Sequence, residues 1–189
     1  MSSRNKVGAL AIAMAALFGP AANAAIVTNG GFETGDFTGW TQTGNTSFNG
    51  VQCPGPASVF AGNCDAFFGA VGSPGGISQN LSTIAGEQYN ISFAFDPDGG
   101  VPSTFSAFFG ATQLISLTNP ADSPFALMSF NAYATSGSTA LSFNFRDDPG
   151  FAFLDAVSVT DVPEPVTLTI FGTGLVGVIV MRRRKAKSA

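Results

Sequence analysis

The stretch Tyr89-Asn90-Ile91-Ser92-Phe93-Ala94-Phe95 runs into the breaker Asp96-Pro97-Asp98-Gly99-Gly100. Tyr89, Ile91, Phe93 and Phe95 stand two apart, so a strand places all four on one face. A helix would scatter them around its surface. Leu141, Phe143 and Phe145 repeat the pattern ahead of Arg146-Asp147-Asp148-Pro149-Gly150. Phe151, Phe153, Val157 and Val159 share a parity in the last run before Asp161. Between Ala25 and Asp161 no stretch of a dozen residues carries a helical apolar period. Short alternating runs separated by Gly, Pro, Asn and Asp clusters predict an all-β domain, an antiparallel β-sandwich over residues 25–161.

Outward from that body, both ends read as addresses. Met1–Lys6 is short and cationic, Val7–Phe18 is apolar, and Ala22-Asn23-Ala24 offers the small residues a signal peptidase reads. This predicts a cleaved signal peptide over residues 1–24. At the other end Val162-Pro163-Glu164-Pro165 opens a segment over 162–189, with an uncharged span at 166–181 and then Arg182-Arg183-Arg184-Lys185. A helix crossing a bilayer uses about 20 apolar residues, so a transmembrane helix over 166–181 is short and needs help from flanking side chains or local thinning. The basic tail, 182–189, is expected to stay in the cytoplasm. The body then faces outward, held to the membrane by its last helix. Gly172, Gly174 and Gly177 match G-x-G-x-x-G, but too few residues follow for the βαβ unit that a dinucleotide site requires.

The 189 residues include 12 acidic and 8 basic side chains, 19 phenylalanines, two cysteines and no histidine. Seven of the eight basic groups lie in the two end segments. Arg146 is the only one between residues 25 and 161, against eleven acids, a net charge of −10. Such a surface repels phosphate backbones and excludes nucleic acid as a partner. The missing histidine excludes a Ser-His-Asp triad and a histidine-ligated metal.

The Pro-Glu-Pro, the short apolar span and the arginine-rich end, on a chain with a signal peptide, resemble a PEP-CTERM sorting signal. The resemblance implies processing by an exosortase, a membrane-embedded cysteine transpeptidase. It further implies delivery to the cell surface or exopolysaccharide matrix of a Gram-negative bacterium, with Pro163, Glu164 and Pro165 as recognition residues. A simple C-terminal membrane anchor is the alternative reading.

A second resemblance lies in the body. Asn29-Gly30-Gly31-Phe32-Glu33 through Trp40, the pair Ile77–Leu81 and Gly86–Tyr89, and the closing Phe153-Leu154-Asp155-Ala156-Val157 are similar to galactose-binding-like jelly rolls of carbohydrate-binding modules. Ala156 stands where those modules usually carry a second acid. On a regular strand Asp155 shares a face with Phe153 and Val157, which points its carboxylate inward. A buried carboxylate protonates or finds a cation. Arg146, a bulge that turns Asp155 outward, or a calcium ion would each resolve the conflict, and oxygen ligands without histidine suit the hard cation. The resemblance implies a structural calcium held by Glu33 and Asp155, with backbone carbonyls near Asn29.

Sugar binding needs flat aromatic platforms beside amides or carboxylates. Trp40 is the one tryptophan and the weak candidate, since it falls in a core-like position of the opening motif. Cys53 and Cys64 flank Pro54-Gly55-Pro56 and in an exported chain read as a disulfide. The expected function is a non-catalytic structural component of the surface or matrix. The alternative is a glycan-binding module, and a glycoside hydrolase is a remote third reading.

Overall fold

The computed structural model describes residues 25–53, 59–148 and 150–163. The predicted signal peptide, Glu164, Pro165, the apolar span 166–181 and the basic tail with Arg182, Arg183, Arg184 and Lys185 lie outside the described residues. Ten strands follow in chain order: β1 (Thr41–Gly44), β2 (Asn49–Gln52), β3 (Asp65–Phe68), β4 (Gly75–Ser82), β5 (Gln88–Pro97), β6 (Ser103–Phe109), β7 (Thr112–Thr118), β8 (Ala126–Tyr133), β9 (Ser138–Asp147) and β10 (Ala152–Asp161). They form two five-stranded sheets in the orders β1-β4-β9-β6-β7 and β2-β3-β10-β5-β8. Every neighbouring pair is antiparallel. The expected all-β sandwich is what forms.

The alternating runs supply the core. Tyr89, Ile91, Phe93 and Phe95 of β5 are buried, as are Leu141, Phe143 and Phe145 of β9. Aromatic rings clamp the two sheets together. Phe68 stacks on Phe145 at 3.9 Å, and Phe95 on Phe105 at 4.0 Å, each pair joining one sheet to the other. Such pairs contribute about 0.5–1.5 kcal/mol beyond the area they bury.

The parity expected for β10 does not hold. Its pairing with β5 shifts register between Asp155 and Ser158, and Ala156 adopts φ 50°. This bulge turns the strand over. Ala152, Leu154, Val157 and Val159 are the buried apolar residues, whereas Phe153 is half-buried and Phe151 is 38% exposed. The bulge is held from outside the sheet, where the Val157 N–H donates to the Gly30 carbonyl at 2.8 Å. Asp155 therefore points away from the core between the sheets.

Candidate functional site

Asp155 is fully buried all the same, because the loop before β3 covers it. Its Oδ2 accepts the Ala61 N–H at 2.8 Å, and its Oδ1 accepts the N–H of Ala156. Glu33 Oε1 accepts the N–H groups of Asn63 at 2.9 Å and Cys64 at 3.2 Å. Cys64 is disulfide-bonded to Cys53, as expected. Asn29 is likewise engaged. Its side chain donates to the carbonyls of Asp36 and Thr38, and its own carbonyl accepts Trp40 Nε1 at 3.1 Å. In this arrangement N–H donors point at both oxygens of Asp155 and at Oε1 of Glu33. Among the described residues no three of His, Cys, Asp or Glu converge to hold a metal.

Asp65, on β3 beside this region, is fully buried with both carboxylate oxygens unpartnered. Burial raises its pKa, opposed by the Gln52 side chain across the strand pair. Burial also raises that of Asp155, with the amides of Ala61 and Ala156 opposing and the charge of Asp65 adding to the rise.

Trp40 is only 7% exposed. Its ring stacks on Phe32 at 6.0 Å and tilts against Phe143, and its one polar atom is bonded to Asn29. It belongs to the core, and no sugar ring can reach its face.

The outer face of the first sheet has a different character. Strands β1, β4, β6 and β7 contain no charged residue, and β9 contains only Arg146 and Asp147 at one end. The outward parity of β9 is Ser142, Asn144 and Arg146. Across the sheet Ser142 pairs with Ser78, Asn144 with Ser106, and Ser106 with Ser116. Asn144 Nδ2 donates to Ser106 Oγ at 3.5 Å. The result is a hydroxyl- and amide-lined neutral surface on a domain of charge −10. The alternation in β9 is visible in the sequence, but which strands flank it is a long-range property that no local pattern carries.

At one end of this face Arg146 meets Asp148 through Nε at 2.8 Å and Nη2 at 2.7 Å. That contact and the Gly72 N–H hold the Asp148 carboxyl down at about 2. Asp147, only 2% exposed, has its pKa pushed up to about 6 by burial and by a hydrogen bond to Asp98. Asp98 in turn accepts the N–H groups of Gly100 and Phe151, each at 2.8 Å. The turn at Asp98 is thus tied to the β9–β10 turn through the Phe151 N–H.

The opposite end carries the exit toward the expected sorting motif. Pro163 lines a hollow of about 390 Å³ with Ile26, Ile84, Glu87, Tyr89, Asp161 and Val162. The Val162 N–H closes it by donating to the Gln88 carbonyl at 2.8 Å.

Residues 161–185 match the PEP-CTERM protein-sorting motif. The chain therefore carries the signal of exported proteins that exosortase processing directs to the cell surface. No curated protein matches the chain by sequence. Among solved structures, the chain is similar to TmCBM61 in complex with β-1,4-galactotriose, with 18% identity and a TM-score of 0.58, covering 74% of this chain and 99% of that one. It is also similar to the C-terminal family 22 carbohydrate-binding module of Clostridium thermocellum Xyn10B, with 17% identity and a TM-score of 0.54, covering 75% and 97%. The enzymatically active domain of bacteriophage CBA120 tailspike protein 4 matches at 14% identity and a TM-score of 0.58, covering 73% of this chain and 21% of that one. At these identities the likeness is one of fold.

Proposed function

We propose that the chain is an exosortase-sorted surface or exopolysaccharide-matrix protein of a Gram-negative bacterium, whose non-catalytic body binds a neutral polysaccharide. The observation that carries this reading is the outer face of the first sheet, uncharged but for Arg146 at one end, where Ser78 pairs with Ser142 and Ser106 with Asn144 across neighbouring strands. A periodic row of donors and acceptors matches the repeating hydroxyls of a linear glycan, and the surrounding acidity disfavours anionic polymers. The likeness in fold to carbohydrate-binding modules supports it.

Affinity electrophoresis through gels containing galactan or xylan tests the reading. The intact chain is retarded by at least one neutral polymer, and Ser142→Glu combined with Asn144→Glu abolishes the retardation. Unretarded migration in every neutral polymer sinks it.

One observation favours a second reading, a structural component that binds no glycan. The outer face of the first sheet carries neither Trp nor Tyr, because Trp40 and Tyr89 are buried and Tyr133 lies on the second sheet. Under either reading, replacing Pro163, Glu164 and Pro165 with alanine blocks processing and leaves the longer form in the membrane. Unchanged size and location would contradict sorting by this signal, and with it the part assigned to the exosortase.

A further inference from the structure

Of the described aromatic side chains, Phe48 is the most exposed, at 65%. Its backbone stands at φ 63°, in the left-handed region that a bulky residue adopts only under constraint. Two loops impose that constraint. The Phe48 carbonyl accepts the Gly69 N–H at 3.2 Å, and the Asn45 side chain donates to the Val71 carbonyl at 2.8 Å. A strained backbone that holds an apolar ring in water costs stability, so its persistence points to use rather than to folding.

Phe151 faces the same hollow. Asp98 holds its N–H, and its ring meets Phe67 edge-on at 5.5 Å. Phe48, Phe151 and Val71 line a cleft of about 180 Å³, with Asp148 on its rim. That is smaller than the ~300–1,000 Å³ of pockets that enclose whole ligands, and it suits one ring. Among the described residues, the one charged side chain on its rim is Asp148, held in place by two guanidinium donors of Arg146.

We propose that this cleft is a second binding site, which takes the terminal ring of a neutral saccharide between Phe48 and Phe151 with its hydroxyls on Asp148. The C–H face of a pyranose stacks on an aromatic ring, and its hydroxyl edge donates to acceptors such as a carboxylate held rigid by its own ion pair. The cleft sits at the start of β10 and Pro163 follows its end. Ten residues at about 3.3 Å each put the cleft roughly 30 Å from the exit toward the sorting motif. A chain held at that motif presents the cleft away from the membrane.

The inference rests on the glycan-binding reading of the body, and the two are separable by experiment. Saturation-transfer NMR is run on the intact chain in detergent with methyl β-galactoside, methyl β-glucoside and methyl β-xyloside. At least one glycoside is expected to receive saturation on its ring C–H protons. The signal should fall at least tenfold in Phe48→Ala and in Phe151→Ala, and persist in Ser142→Glu with Asn144→Glu. Phe48 is exposed, so its truncation should leave the unfolding temperature unchanged, which serves as the folding control. No transfer to any of the three, transfer indifferent to Phe48, or transfer lost only in the sheet-face variant overturns the proposal. Phe48-dependent transfer together with unretarded migration in every polymer gel leaves the cleft standing and removes the sheet-face site.

Discussion

Glu33 Oε1 accepts the N–H of Asn63 at 2.9 Å across 30 residues of chain. With Ala61 on Asp155, this contact lets one disulfide-anchored loop supply what a cation would otherwise supply to the same two carboxylates. Calcium or a chelator should therefore shift the unfolding temperature by less than about 1 °C. Reduction of Cys53–Cys64 should lower stability by about 2–3 kcal/mol, a fall of roughly 5–10 °C at this domain size. Melting curves with calcium, with chelator and with reductant decide it. A calcium-dependent rise of several degrees would instead place a cation on Glu33 and Asp155.

Gly30 lies against the β10 bulge. A Cβ built there would sit 2.0 Å from the Val157 carbonyl oxygen, which is backbone and cannot swing aside. Gly30→Ala should cost more than about 2 kcal/mol through the shift it forces, measured by urea unfolding. A neutral result would mean that the bulge is not pinned by the N-terminal turn.

Trp40→Ala should destabilise by about 3–5 kcal/mol, as large-to-small core changes do. Sugar affinity per folded molecule should stay unchanged, because the ring is covered on both sides. Loss of affinity without loss of stability would return Trp40 to the ligand surface.

Asp147 titrates near 6 instead of 3.8, with Asp98, Asp148 and Arg146 around it. Its proton is held more tightly in the folded state, so stability is greatest below about 4, declines as pH rises from about 4 to about 6, and is flat above. Asp65, Asp96 and Asp155, also raised, act in the same direction. Asp148, held down at about 2, acts oppositely, with stability lost as pH falls from about 4 toward 2. Asp147→Asn keeps a hydrogen bond to Asp98 without the charge. It should raise stability at pH 7 by on the order of 2 kcal/mol and flatten the decline between pH 4 and 6, read from unfolding temperatures across that range.

Strands β5 and β9 were legible because the inward positions from Tyr89 to Phe95 and from Leu141 to Phe145 are apolar, and the outward ones between them are small or polar. The strand that ends the body was misread for a physical reason. Ala156 enters the left-handed region only because the Gly30 carbonyl takes the Val157 N–H, and nothing local to Phe151–Val159 announces that partner. The same holds for the covering of Asp155, which depends on amides of a loop some 90 residues away in the chain. The disulfide and the sorting motif were readable, since each is written in a few residues of fixed type. Phe48 gave no signal, being a single ring among polar loop residues until the fold brings Phe151 beside it.

Strand β10 is the last of the described strands yet the middle of its sheet, with β2-β3 on one side and β5-β8 on the other. An exported chain crosses the membrane N-terminus first, so the β2-β3 hairpin and the β5-β8 pair, whose strands are separated in the chain by β6 and β7, wait outside until residues 152–161 arrive. The matched sorting motif begins at residue 161. Completion of the sandwich and delivery of the sorting segment therefore fall at the same moment of translocation. A delay at that point would leave an unfilled slot between two sheet edges, open to the β10 of a neighbouring copy.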